Sequence, residues 1–173
     1  MNSLIPADSN RFLQRVRDDL ARTKSRDILV FVHGYNSSFE EAAVRLAQLV
    51  ADMGFDGTAV LFSWPSAGAL SGYVRDQQTA RNAGWHLLRL LRDQLPRTNP
   101  DRIHVIAHSM GSEVLSKALS LIDRSDSLLR LGQVVFAAPD VDARIFGREI
   151  LPTLRQRAQG VTLYASSEDE ALR

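Results

Sequence analysis

The sequence predicts an α/β protein, a three-layer α/β/α sandwich around a mainly parallel sheet of about five strands. Three observations carry this. Apolar runs alternate along the whole chain with segments of helical spacing. The runs are continuously apolar, the pattern of strands covered on both faces. The connections between them are short, as in parallel sheets wound through helices.

Each element follows in order. Asp8 or Ser9 can cap an opening helix that sets Phe12, Leu13, Val16 and Leu20 on one face. Ile28–Val32 is a strand bounded by His33-Gly34. Glu40–Met53 places Val44, Leu46, Leu49, Val50 and Met53 at helical spacing and ends at Gly54. Ala59–Phe62 is the second strand, stopped by Trp64-Pro65. The segment 66–73 is rich in Gly, Ala and Ser and reads as a loop, with Ser63–Tyr73 as a small lid. Asp76–Leu95 reads as a long helix stopped at Pro96. Ile103–Ala107 is a strand, Gly111–Ile122 a helix and Gln133–Ala138 a strand closed by Pro139. Ile145–Ala158 is helical with a kink or break at Pro152, and Val161–Ala165 is a fifth strand. There is no repeat and no linker, so residues 1–173 read as a single domain.

Composition narrows the function. Lys and Arg number 21 against 20 Asp and Glu, a net charge of +1, which argues against a nucleic-acid partner. Hydrophobic residues make up 45% and charged residues 24%, a globular balance. The absence of cysteine excludes disulfides, thiolate metal sites and a Cys nucleophile. No apolar run reaches the length of a membrane span, and the N-terminus lacks the pattern of a signal peptide. A cytoplasmic location is expected unless an export signal preceded residue 1.

The chemistry concentrates at Ile106-Ala107-His108-Ser109-Met110-Gly111, where a strand ends and a helix opens. That is the context of a nucleophile elbow, a tight turn that lifts a serine hydroxyl above the sheet. Small residues two before and two after the serine let strand and helix approach. Ala107 stands where the usual pattern has Gly. Ser109 is the candidate nucleophile, and the Met110 N–H at the helix start is a candidate oxyanion donor. The second signal is Phe31-Val32-His33-Gly34-Tyr35-Asn36 after the first strand. Gly34 lets the backbone turn so that the Tyr35 N–H becomes the second oxyanion donor.

With these motifs the chain resembles the α/β-hydrolase superfamily, and more closely a bacterial branch of hydrolases of unknown function. The motifs are FVHGYNSSFE (31–40), VLFSWPSAG (60–68), IHVIAHSMG (103–111), FAAPDVDARIF (136–146) and VTLYASSEDEAL (161–172). The resemblance implies a Ser–acid–His triad and an esterase- or lipase-type reaction on a small-molecule carboxylic ester through an acyl-enzyme on Ser109. No cofactor or metal is implied, and four scattered histidines form no metal-ligand cluster. By position, Asp169 after the fifth strand stands where the superfamily usually puts its acid. Asp140 after the fourth strand is the alternative acid.

In this fold the triad runs Ser, acid, His along the chain. The residues after Asp169 contain no histidine. The fold is therefore expected to be an α/β-hydrolase core lacking the final strand and its His-bearing loop. His104 precedes Ser109 by five residues on one strand, roughly 16 Å away. His108 points to the opposite sheet face. His86 falls on a surface helix, and His33 reads as a hydrogen-bonding loop residue behind the oxyanion hole. Three readings follow: a piece of a longer hydrolase, a chain whose base comes from another subunit, or a catalytically impaired or inactive binding scaffold. The first is favoured, since the chain stops just inside an expected helix. A missing final strand would leave a sheet edge open to homodimerisation.

Two weaker signals complete the reading. Trp64-Pro65-Ser66 is either one wall of the pocket or a buried aromatic at a strand end. Arg75, Asp76 and Arg81 read as a solvated, salt-bridged helix start.

Overall fold

The structure, a computed structural model, describes residues 7–66, 73–122 and 129–165. Helix α1 (Ser9–Leu20) starts at the Asp8 N-cap, whose carboxylate accepts the Arg11 N–H. Strand β1 (Asp27–Val32) follows, then α2 (Phe39–Asp52), opened by a capping box between Ser38 and Glu41. Next come β2 (Thr58–Phe62), α3 (Tyr73–Arg89), β3 (Arg102–His108) and α4 (Gly111–Ser120). Strand β4 (Leu131–Ala137), the short α5 (Ala143–Ile145), α6 (Leu151–Arg157) and β5 (Ala158–Tyr164) complete the described chain.

Among the described residues the sheet has five strands in the order β2-β1-β3-β4-β5, every neighbouring pair parallel. The strand that delivers Ser109 is therefore central. The main core lies on one face. Ile28, Val30, Val32, Val105, Ala107, Val134 and Phe136 meet Val16 and Leu20 of α1, Leu87 and Leu88 of α3, Leu115 of α4 and Leu154 of α6. On the other face Leu29 and Phe31 pack on Leu46 of α2, with Leu49, Val50, Leu61 and Ile106 partly buried beside them.

Several expectations are corrected. Among the described residues, two-sided cover holds for β1 but not for β4 and β5, where Gln133 and Tyr164 are exposed and Val135 and Thr162 half-buried. The reason is that α2 packs at the β1–β2 side of its face. Val44 and Met53 fit the helical period of α2, yet both are exposed, because its inner stripe runs through Ala42 and Leu46. Pro96 does not stop the third helix abruptly. After Arg89 the helix widens into a π turn (Leu90–Gln94) and tightens into a 3-10 turn (Leu95–Thr98). Pro96 lies among the first residues of that turn. Pro152 likewise opens α6, after a π turn at Phe146–Ile150. Most of the expected Ser63–Tyr73 lid lies outside the described residues. No helix among the described residues is long and apolar enough to cross a membrane.

Candidate active site

Between the end of β3 and the start of α4 only Ser109 and Met110 turn the chain. Ser109 has φ +50°, a left-handed conformation that costs an L-residue about 1–2 kcal/mol. The neighbourhood holds it there. The Ser109 N–H donates to the Ala137 carbonyl at 2.9 Å. The Ser109 carbonyl accepts the Ser112 N–H at 2.9 Å and the Asp140 N–H at 3.4 Å. The loop after β4 can reach back because Ala138 itself has φ +45°. The Met110 side chain is fully buried, so the helix start is anchored in the core.

Two glycines allow the β1 loop to lie against this turn. A Cβ on Gly111 would sit 2.6 Å from the carbonyl oxygens of both Val32 and His33. A Cβ on Gly34 would sit 2.9 Å from the Ser109 Cβ and 2.8 Å from the His108 Nδ1. The loop carrying Tyr35 is thereby held directly against Ser109. The structure thus brings Ser109, Gly34, Tyr35 and Met110 to one point at the carboxyl ends of the central strands. That is where open α/β sheets hold their ligands.

His33 lies behind this point, buried at 1% exposure. Its Nε2 accepts the Trp64 N–H at 3.1 Å, and its Nδ1 pairs with the Gly34 carbonyl at 2.9 Å. The first contact fixes Nε2 as the unprotonated nitrogen and Nδ1 as the donor. The Trp64 indole N–H returns a bond to the His33 carbonyl at 2.8 Å, and the two rings stack at 5.2 Å. Burial holds the imidazole pKa below its ordinary value. His33 is therefore a clasp between the loops after β1 and β2, with its lone pair already engaged. Trp64, 2% exposed, belongs to that clasp and is no pocket wall.

The other histidines are engaged or turned away. His104 accepts the Gln133 N–H at Nδ1, and its Nε2 faces Asp27 at 3.4 Å. His86 is exposed on α3. His108 lines a cleft of about 320 Å³ on the α2 face, with Phe31 and Ile106.

Of the two candidate acids, Asp169 lies outside the described residues. Asp140 stands beside Ser109 through its backbone bond, and its carboxylate accepts the Tyr73 hydroxyl at 2.5 Å. Tyr73 meets Tyr35 edge to face at 5.4 Å. Burial, with help from the Asp140 carboxylate, pushes the Tyr73 phenol up to about 12.

The expectation of a solvated helix start fails at Asp76, which is 1% exposed. Its carboxylate accepts the Ser66 hydroxyl at 2.7 Å, and Ser66 Oγ accepts the Asn36 N–H at 3.0 Å. Nothing in the sequence singles out Asp76 or Tyr73, whose contacts place them beside the candidate site. An acid in a first helical turn looks the same whether it faces water or a neighbouring loop. Arg81 does form the expected surface ion pair, with Glu113 at 3.1 Å. Among the described residues no cluster of three or more His, Asp or Glu could hold a metal.

The comparisons agree with this architecture. No curated protein matches the chain. Among solved structures, Trichoderma reesei cutinase in complex with a C11Y4 phosphonate inhibitor is similar, with a TM-score of 0.53 at 13% identity. The match covers 94% of this chain and 77% of the cutinase, a likeness of fold. The model of a family described as alpha/beta hydrolase of unknown function (DUF900) matches residues 8–173. The chain belongs to that family of α/β hydrolases.

Proposed function

We propose that this hydrolase is a serine esterase that cleaves a small carboxylic ester through an acyl-enzyme on Ser109. The observation that supports it most is the strained Ser109 backbone, φ +50°, pinned at the strand–helix junction with Gly34 against it. Strain of this kind persists only where the surroundings impose it, and it concentrates at functional turns. In the proposed reaction Ser109 Oγ attacks the ester carbonyl. The oxyanion that forms is met by the Tyr35 and Met110 N–H groups, and the alcohol leaves as the acyl group stays on Ser109. Water then releases the acid. A histidine base that the described residues do not supply would take the Ser109 proton and give it to the leaving alcohol, and would do the same for the attacking water in the second step, with Asp169 as its orienting acid and Asp140 as the alternative. The cutinase neighbour carries a phosphonate inhibitor. Tetrahedral phosphorus imitates the intermediate of acyl transfer, and we extend that chemistry to Ser109 as part of this proposal.

His33 is not the base in this reading, because its Nε2 lone pair is committed to Trp64. The same commitment favours the second reading, an impaired or inactive hydrolase-fold scaffold. Hydrolysis of p-nitrophenyl acetate and butyrate by the wild type and by Ser109→Ala separates them. Turnover lost in the variant supports the esterase. Equal rates in the two proteins sink it and leave the scaffold. We also propose that β5, an outer strand of the described sheet, can pair with a second copy, and a strictly monomeric species in sedimentation would contradict this.

A further inference from the structure

Three chain segments meet beside the oxyanion loop in a short polar relay. The first is the loop after β1, where Asn36 is held at φ +52°. The second is the loop after β2, which supplies Ser66. The third is the first turn of α3, which supplies Asp76. The carboxylate of Asp76 is almost wholly removed from water, and Ser66 bridges it to the Asn36 amide over 2.7 and 3.0 Å.

The position of this relay gives it a meaning that a structural carboxylate elsewhere would lack. A left-handed φ at Asn36 is costly for any residue with a side chain, although Asn tolerates it better than most. Fixing the Asn36 N–H fixes the plane of the Tyr35–Asn36 peptide. That plane adjoins Tyr35, whose own N–H is the donor proposed above for the oxyanion and which follows the Gly34 that packs on Ser109. A hydrogen bond to a charged group is stronger and shorter than one between neutral groups. The carboxylate polarises the Ser66 hydroxyl, so the hydroxyl oxygen becomes a better acceptor for Asn36.

We propose that Asp76 is a positioning residue for the oxyanion side of the active site, acting through Ser66 on the Asn36 amide. It touches no reacting atom. The inference rests on the esterase reading for its catalytic consequence and on geometry for its structural one, so the two can fail separately.

The test uses Ser66→Ala, Asp76→Ala, the conservative Asp76→Asn and the double variant Ser66→Ala/Asp76→Ala. Two quantities are followed in the full chain. One is hydrogen exchange at the Asn36 amide by NMR. The other is the rate of Ser109 acylation by p-nitrophenyl acetate, split into kcat and KM. Ser66→Ala removes the bridge while the carboxylate stays, and thermal unfolding of each variant separates a local loss from misfolding. The expected result is Asn36 exchange about tenfold faster in Ser66→Ala and Asp76→Ala. Acylation falls by about 10- to 100-fold in kcat with KM nearly unchanged, since a displaced oxyanion donor acts on the transition state. Asp76→Asn, whose amide oxygen still accepts from Ser66, recovers part of both losses. The double variant is no worse than the worse single variant, as expected of one connected unit.

Unchanged exchange in Ser66→Ala and Asp76→Ala overturns the relay. Faster exchange with unchanged kcat overturns the positioning role and leaves a structural bond. Release of p-nitrophenol equal in wild type and Ser109→Ala overturns the esterase reading and the catalytic sense of the relay with it, while exchange at Asn36 still reports the relay by itself.

Discussion

Gly111→Ala adds one methyl group where α4 starts against the end of β1. The new Cβ would meet the carbonyl oxygens of Val32 and His33 at 2.6 Å, about 0.8 Å inside the 3.4 Å at which ordinary contact begins. Both neighbours are backbone atoms at the edge of a buried strand, so neither can rotate away. Relief requires the β1 loop and α4 to part. Overpacking of this kind typically costs about 1–3 kcal/mol, and two rigid neighbours place it at the upper end. A cost of about 2–3 kcal/mol lowers Tm by roughly 4–12 °C in a chain of this size. Gly147→Ala is the control. It lies in the π turn Phe146–Ile150, and a Cβ there meets nothing within 4 Å. Losing a glycine at such a site is neutral or stabilising by about 0.5–1 kcal/mol. Thermal and urea unfolding of the three proteins decide the matter. A Gly111→Ala variant that melts with the wild type, or a Gly147→Ala variant that loses as much, would refute the steric argument.

Two further outcomes follow from groups whose titration the fold perturbs. Burial holds the His33 pKa below its ordinary 6.5, so the folded state favours the neutral ring. Its stabilising contribution is full above that value and is lost as pH falls below it toward the folded pKa. The wild type should therefore lose more Tm between about pH 7.5 and 5.5 than His33→Gln does, and parallel curves would contradict the clasp. The Tyr73 phenol, raised to about 12 by burial and by Asp140, has the opposite sign. Its contribution is intact below the ordinary value near 10 and disappears as pH rises through about 12. Ultraviolet titration should show a tyrosine step near 12 that Tyr73→Phe abolishes and Asp140→Asn moves downward. A step that survives Tyr73→Phe would refute the assignment.

Much of the architecture is legible in the sequence because its signals are local. The run Ile28–Val32 is apolar without interruption and forms a strand buried along nearly its whole length. Asp8 is a side chain that caps helices, and the first helix begins where it stands. The elbow is legible for a related reason: a small residue, Ala107, a serine and Gly111 at a strand–helix junction leave little choice of backbone. What is not legible depends on cover from distant segments. Val135 and Thr162 sit in apolar strands, yet their face is left partly open because α2 packs toward β1 and β2. Asp76 reads as a surface acid because nothing in its own helix reveals that Ser66 and Asn36 close over it. Trp64 looks equally suited to a pocket wall or a buried plug, and only the bonds to His33 decide for the plug. The two π turns are the least visible of all, since no local spacing distinguishes them from α-helix.

In the proposed reaction Ser109 is a nucleophile held ready by its turn. Intact-mass analysis after exposure to a fluorophosphonate, with peptide mapping of the adduct, tests it most directly. One adduct per chain is expected, on the peptide that contains Ser109, and none in Ser109→Ala. A wild-type chain that stays unmodified, or an adduct that forms equally in Ser109→Ala, would contradict it.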